Sequence, residues 1–475
     1  MGAVTNDHDD SPDSDHEAEG RVPAPDPEAL AAAFAGVEAE LARRWPETRI
    51  APDLGRETAL MELLGDPQRS APVIHIAGTN GKSSTARITE SLLRAFGLTT
   101  GTYLSPHLHT VRERILLDGE PVERERFVAA YQDIAPYVGL IDARDPHAPM
   151  TAFEVLTAIA FACFADAPVD VMIIECGMGG RWDATNVVSP TVDVITPIGL
   201  DHMEYLGPDV AAIASEKAGI ITSDAPVVLG RQDREVADVI AATAEQQGAA
   251  LLRLGRDFSV EGRVVAVGGQ LLTIAGLAGE YRDIYLPLHG IHQAENAAVA
   301  LAAAERFFGD GTRMLNEETV QAGFAAAASP GRLEVLRTSP TIVADAAHNP
   351  AGATALAAAL PEAFGFDYLV AVVAVFADKD ASGILAGLGD AVDEVVVTVN
   401  SSPRAMDIDD LAAAAVSQFG IDRVHVADDM ADALEVAVEA ADRMLADDVM
   451  AGVLVTGSVT SVGDARALLR GEDVR

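Results

Sequence analysis

Val73-Ile-His-Ile-Ala-Gly-Thr-Asn-Gly-Lys-Ser-Ser-Thr85 carries an apolar run into a glycine-rich loop and then into a helix with apolar positions Ile88, Leu92 and Phe96. The run is short and rich in isoleucine and valine, which reads as a buried strand. The glycines let backbone amides turn inward, and the helix N-terminus adds partial positive charge, so the loop is suited to cradle phosphate. Lys82 supplies a point charge for the β- and γ-phosphates of a nucleotide, and Ser83 or Ser84 reaches a metal or a phosphate oxygen. Ile76 stands where a full Walker A motif has its first glycine. The loop is therefore the shorter form Gly78-x-x-Gly81-Lys82-Ser83.

Working outward, residues 28–45 and 57–64 read as helices. Runs rich in Val, Ile and Thr follow over 73–77, 99–104, 169–174 and 192–196. They are followed by Gly78, Ser105-Pro106, Glu175 and Pro197 and give way to helical sequence, the signature of a parallel sheet with crossover helices. The texture changes over 258–288. There Arg263-Val-Val-Ala-Val-Gly-Gly-Gln-Leu-Leu-Thr-Ile274 reads as a hairpin turning at Gly268-Gly269. Ala-rich helices follow over 292–308 and 317–327. Ser329-Pro330-Gly331 interrupts all regular patterning and marks a boundary. Beyond it, strands over 341–344, 368–375, 394–399, 424–427 and 452–456 alternate with helices. The expected fold is α/β: a P-loop-type parallel-sheet ATPase domain with a small antiparallel β patch over 27–331, then a C-terminal Rossmann-like α/β domain over 332–475.

The 475 residues carry a net charge of −40. A surface that acidic repels nucleic acid and anionic lipid, so neither is expected as a partner. Phosphate must instead be held by local amides, a few basic side chains and a metal. Part of the acidity lies in residues 1–26, where Asp7, Asp9, Asp10, Asp13, Asp15, Glu17, Glu19 and Asp26 face Arg21 alone. That segment lacks periodic apolar positions and is expected to be a disordered tail. Two cysteines, Cys163 and Cys176, have no metal-ligand spacing, and no signal-peptide or membrane-spanning pattern is evident. A cytoplasmic protein is the expectation.

Ser105, Glu175 and the Asp201-His202 pair fall at the C-terminal ends of the expected strands, where ligands of open α/β sheets bind. A hydroxyl, a carboxylate and an imidazole are reasonable magnesium ligands when phosphate oxygens and water complete the octahedron. Each also has an ordinary structural use: serine before proline suits a turn, and a histidine can cap a helix.

Gly78-Thr-Asn-Gly-Lys82, Ser105-Pro-His-Leu108, Glu175-Cys-Gly-Met-Gly-Gly-Arg-Trp-Asp-Ala-Thr-Asn186, Asp201-His202, Glu216-Lys-Ala-Gly219, Pro330-Gly-Arg332 and Asp345-Ala-Ala-His-Asn-Pro350 occur in that order. The ordered set resembles the bifunctional dihydrofolate synthase/folylpolyglutamate synthases of the Mur ligase superfamily, from about residue 57 to the C-terminus. Two departures are small: Ser83 stands where many members have Gly or Thr, and the acidic tail has no counterpart. The resemblance implies that Gly78, Thr79, Asn80, Gly81, Lys82 and Ser83 hold the phosphates of ATP. Asn296, Arg332 and Asp345 would contact the nucleotide as well. It implies Ser105, Glu175 and His202 as magnesium ligands, with Lys217 carbamylated to serve a second magnesium. Thr151, Ala152, Phe153 and Glu154, with Trp182, Asp183 and Ala184, fall where the family binds its pterin substrate. His348 and Ser458 fall where glutamate meets the reacting carboxylate.

The function so implied is ATP-dependent ligation of L-glutamate to dihydropteroate, to reduced folate or to both, through an acyl phosphate, by a monomer. Lys82, Lys217 and His348 are the catalytic candidates. One alternative is another Mur-type amino-acid ligase, but fewer than eighty residues precede the phosphate loop at Gly78, too few for the N-terminal domain that binds a UDP-sugar. A regulatory P-loop NTPase is the other alternative, separable by whether ATP turnover needs both a folate and glutamate.

Overall fold

The computed structural model describes residues 26–46, 53–446 and 448–471. The acidic tail expected over 1–26 lies outside these, apart from Asp26, which caps the helix Pro27–Arg43 by accepting from the Glu28 amide.

Eight strands form the first sheet: β1 (Val73–Ala77), β2 (Thr100–Tyr103), β3 (Ile115–Leu117), β4 (Glu120–Pro121), β5 (Val171–Glu175), β6 (Val192–Ile195), β7 (Val227–Leu229) and β8 (Leu251–Arg253). Their order is β4-β3-β2-β5-β1-β6-β7-β8, parallel except that β3 pairs antiparallel with both β2 and β4. Strand β1 sits between β5 and β6, with Ile76 opposite Glu175 and Ala77 opposite Ile195. Period-2 alternation splits its side chains between two cores. Ile74 and Ile76 pack under the helices Lys82–Ala95 and Ile291–Phe308, while Val73 packs with the helices Arg124–Arg144 and Ala152–Asp166. Apolar burial on both faces is why these strands read as continuous hydrophobic runs.

The antiparallel patch is a three-stranded sheet of β9 (Ser259–Ala266), β10 (Gly269–Ala275) and β11 (Glu280–Leu286). Its hairpin turns one residue earlier than the sequence suggested. Gly269 pairs with Ala266, so the two-residue loop is Val267-Gly268, and Gly268 takes the positive φ of 73° such a turn demands.

The C-terminal sheet contains β12 (Glu334–Thr338), β13 (Thr341–Ala344), β14 (Tyr368–Val373), β15 (Glu394–Val397), β16 (Val424–Val426) and β17 (Ala451–Thr456), ordered β12-β13-β17-β14-β15-β16. Five of these are the strands read from the sequence. The sixth, β12, is antiparallel to β13 and carries a register shift between Val335 and Arg337. Its Glu-Val-Leu-Arg-Thr sequence alternates without a strongly apolar face, as suits an edge.

The link through Ser329-Pro330-Gly331 has no helix or strand. Side chains cross between the two sheets nonetheless: Asn80 and Asn349 exchange amide hydrogen bonds of 3.3 and 2.9 Å, and Leu108 packs into the C-terminal core. None of the described helices is long and apolar enough to cross a membrane.

Candidate active site

The phosphate loop is fixed by close approaches that only glycine permits. A Cβ on Gly78 would lie 1.9 Å from the Thr196 hydroxyl, and one on Gly81, at φ 86°, would lie 2.6 Å from Asn296 Oδ1. The Thr79 and Asn80 amides donate to the Pro197 carbonyl at 3.0 and 3.2 Å. The amides presented to an anion are thus those of the first turn of the helix Lys82–Ala95, which starts after Gly81 with no side-chain cap. Lys82 Nζ rests on the Thr79 carbonyl at 3.2 Å.

A cavity of about 630 Å³ opens above this loop, and both sheets line it. Glu175, at the end of β5, is fully buried there; it accepts from Ser83 Oγ at 2.9 Å and from the Ser105 amide at 3.2 Å. Burial raises its pKa, opposed by Lys82 and these two donors. Burial also lowers His202 to about 4, so its imidazole is neutral at physiological pH and able to ligate a metal. Lys217 ends the helix Val210–Lys217, is buried, and donates to the Gly78 carbonyl at 2.8 Å. Burial first, and then the Lys82 ammonium, bring it down to about 7. The described residues contain no group of three or more His, Cys, Asp or Glu side chains able to hold a metal. One carboxylate, one hydroxyl and one neutral imidazole fit magnesium, which keeps water and phosphate oxygens for most of its shell.

On the other wall, Thr151 and Glu154 form a capping box: Thr151 N donates to Glu154 Oε2 at 2.6 Å, and Glu154 N donates to Thr151 Oγ1 at 3.2 Å. Glu154 is also clamped by Arg56 at 2.9 Å. Phe153, Trp182, Asp183 and Ala184 line the cavity; Ala152 does not, and its amide donates to the Trp45 carbonyl. The Asp183 carboxylate accepts from Met178 N, Thr185 N and Thr185 Oγ1 at 2.8, 3.0 and 2.6 Å, which shapes the loop after β5.

From the C-terminal side, Lys379 reaches across to Asp201 at 2.6 Å, a pair whose side chains are 7% and 8% exposed. His348 Nε2 lies 3.6 Å from the same carboxylate, and Asn349 Nδ2 donates to it at 3.3 Å. Burial resists ionisation of Asp201, but the His348 hydrogen bond and the Lys379 ammonium outweigh it and hold the carboxyl far below its usual range.

A nucleotide loop, a neutral imidazole and a second domain closing one cavity have known counterparts. Residues 126–304 match the Mur ligase middle domain and residues 331–459 the family described as Mur ligase, glutamate ligase domain. The dihydrofolate synthase/folylpolyglutamate synthase of Mycobacterium tuberculosis is 52% identical over 95% of this chain and 96% of its own. This chain belongs to the dihydrofolate synthase/folylpolyglutamate synthase family. The members are ATP-dependent ligases. The solved Mycobacterium tuberculosis folylpolyglutamate synthase complexed with ADP superposes with a TM-score of 0.90, covering 94% of this chain and all of that one. A structure described as an FPGS–AMPPCP–folate complex does so with a TM-score of 0.79 at 32% identity, covering 92% and 99%.

Within this family member, three sequence candidates besides Ala152 stand away from the cavity lining. Asn296 lies behind Gly81 and donates to Gln293. Asp345 accepts from the Leu333 and Ala347 amides at 3.0 and 2.9 Å. Ser458 is fully buried, caps the helix Val459–Arg470 and bonds Asn400 and Ser461. Arg332 and His348 do line the cavity, as do Asp53, Arg56, Lys379 and Arg404, which sequence reasoning passed over. Lys379 had one signal available, a charged Asp-Lys-Asp directly after an apolar strand; Arg404 had none.

Proposed function

We propose that this enzyme ligates L-glutamate to dihydropteroate, to a reduced folate or to both, acting as a monomer with units over 27–331 and 332–475. The observation that carries the reading is a single cavity bounded by the phosphate loop, the Phe153–Trp182 wall and the C-terminal residues His348 and Lys379. Three reactants must meet, and one chain surrounds the space.

The substrate carboxylate is a poor acylating agent. Its oxygen attacks the γ-phosphorus of ATP, ADP leaves, and an acyl phosphate results. The amine of glutamate then attacks the acyl carbon; phosphate leaves, the amine gives up a proton and the amide forms. The amides at the start of the helix Lys82–Ala95 and the Lys82 ammonium hold and neutralise the phosphates, a task of positioning and electrostatics. Aromatic Phe153 and Trp182 supply apolar faces for a pterin ring. The Asp201–Lys379 and Asn80–Asn349 contacts keep the two domains closed over the site, which excludes water that would hydrolyse the acyl phosphate. Magnesium, when bound, neutralises charge on the transferring phosphoryl group; Ser105, Glu175, His202 and a carbamylated Lys217 are the residues to hold it. Carbamate forms when a neutral lysine amine adds to carbon dioxide and releases a proton. The low pKa of Lys217 supports that step.

ADP release measured with dihydropteroate or tetrahydrofolate, each with and without L-glutamate, tests the reading. Release that needs both partners is expected. Release indifferent to glutamate would leave only a nucleotide hydrolase.

A further inference from the structure

A buried chain of hydrogen bonds runs behind the apolar wall of the cavity and takes no part in holding phosphate. It begins at His75 in β1, which is fully buried and does not line the cavity, and ends at Asp183 in the loop after β5. His75 Nε2 lies 2.9 Å from Thr185 Oγ1, and Thr185 Oγ1 lies 2.6 Å from Asp183 Oδ1. Thr185 N and Met178 N donate to the same carboxylate at 3.0 and 2.8 Å.

The direction of the chain follows from its protons. Both Asp183 oxygens face backbone N–H donors, which suits an ionised carboxylate that only accepts. Burial raises the Asp183 pKa, and the Thr185 hydroxyl and the amides oppose that rise. Thr185 has one hydroxyl proton, and its shorter contact is the carboxylate, so the proton goes there. The hydroxyl oxygen then meets His75 as an acceptor, and His75 Nε2 carries the ring proton. Nδ1, which has no partner among the described residues, is the bare nitrogen. Burial brings the imidazole pKa down to about 3, so the ring is neutral. Asp193 stands opposite His75 on β6 with neither oxygen bonded, and burial holds its carboxyl well above the usual range, so it brings no charge to the ring. Cys176 Sγ, 3.2 Å from Nε2, is a weaker acceptor than the hydroxyl.

This chain holds the loop 177–183. A Cβ on Gly177 would lie 2.4 Å from the Phe153 ring, so the loop backbone rides directly on that aromatic. Met178 and Trp182, from the same loop, line the cavity. The far side of the loop is tied separately, by Asn186 Nδ2 donating to the Arg181 and Gly219 carbonyls at 3.1 Å each.

We infer that His75 is a positioning residue for the pterin substrate: its Nε2–H commits the Thr185 hydroxyl to Asp183 and so fixes the loop that presents Met178 and Trp182 beside Phe153. This rests on the ligase reading given above. Strand β1 runs straight into the phosphate loop, so a mere packing role for His75 would disturb ATP as much as the pterin. The hydrogen-bond chain reaches the pterin side alone.

The test measures ADP release while ATP is varied and, separately, the pterin substrate, whichever of dihydropteroate and tetrahydrofolate supports turnover. His75→Phe keeps a ring and loses the donor. It raises the KM for the pterin substrate at least about tenfold, the scale of one charge-assisted hydrogen bond, with the KM for ATP within about twofold. His75→Gln, which donates from its own side-chain amide, brings the pterin KM back to within about threefold of wild type. Thr185→Val interrupts the chain at its middle and raises the same KM, and adding His75→Phe to it changes that KM by less than about twofold. Wild-type release that needs no pterin substrate overturns the ligase reading and this one with it. Pterin-dependent wild-type release overturns the role of His75 alone if His75→Phe moves both KM values equally or neither, if His75→Gln is no better than His75→Phe, or if the two substitutions multiply. Should His75→Phe fail to fold, an unmoved pterin KM in Thr185→Val overturns it.

Discussion

The two parallel sheets place the same kinds of polar residue at the same kind of position, the C-terminal end of a strand, and use them differently. After the first sheet, Ser105 and Glu175 face the shared cavity, and Glu175 accepts from one hydroxyl and one amide. After the C-terminal sheet, Asp345 and Ser458 turn onto their own domain, and Asn349 divides its amide between its own helix start and Asn80 and Asp201. Asp345 takes two amides, while Asn349 and Ser458 cap the helices Pro350–Phe364 and Val459–Arg470. A strand-end carboxylate or hydroxyl is thus available to a ligand only where the local helix start does not consume it. The phosphate loop meets that condition through glycine: Gly81 precedes its helix and offers no capping side chain. In the C-terminal domain the cavity is reached by side chains farther along their loops, His348, Lys379 and Arg404.

Substitutions on the two sides should therefore separate cleanly. The largest loss is expected at the phosphate loop. Lys82→Ala should lower ADP release at least ~10²-fold, the scale of removing one preorganised charge stabiliser. Its Tm should stay near wild type, because Nζ makes a single bond to a carbonyl. A loss under tenfold would mean that other cavity cations carry the phosphates.

Next comes Lys217→Ala, which should keep ADP affinity by titration and lose most turnover, with acetate restoring part of it. Full activity without acetate would remove Lys217 from the chemistry.

A smaller, graded effect follows from the lowered pKa of that lysine. The neutral amine is the form that reacts with carbon dioxide, and its share rises as pH climbs through about 7. Enzyme stripped of carbon dioxide should regain activity several-fold faster near pH 8 than near pH 6 at fixed dissolved carbon dioxide. A rate independent of pH across that window would break the link.

The smallest effect belongs to the C-terminal side. Ser458→Ala should cost ~1 kcal/mol as a lost helix cap, visible as a modest drop in Tm, with kcat within about threefold of wild type. A kcat loss near ~10²-fold at unchanged Tm would instead return Ser458 to the substrate site and erase the contrast between the two sheets.

Much of the architecture was legible before any coordinates. The strand over 73–77, the helix after it, five strands of the second sheet and the break at Ser329-Pro330-Gly331 all follow from local period and punctuation. Misreadings fell where local signals were weak. Edge strand β12 lacks an apolar face, and the hairpin at Val267-Gly268 offered two adjacent glycines, either of which could have taken the positive φ.

The sequence by itself determined the element types, the phosphate loop and the family-like order of motifs, because each rests on residues within a few positions of one another. Only the tertiary structure decided which polar groups meet. Asp201 and Lys379 lie 178 residues apart, as Asn80 and Asn349 lie 269 apart, and nothing in their local sequence specifies a partner. Whether a hydroxyl faces ligand or its own helix, as at Ser105 and Ser458, likewise depends on burial. Burial is set by how two sheets pack against each other, and no window of sequence contains it.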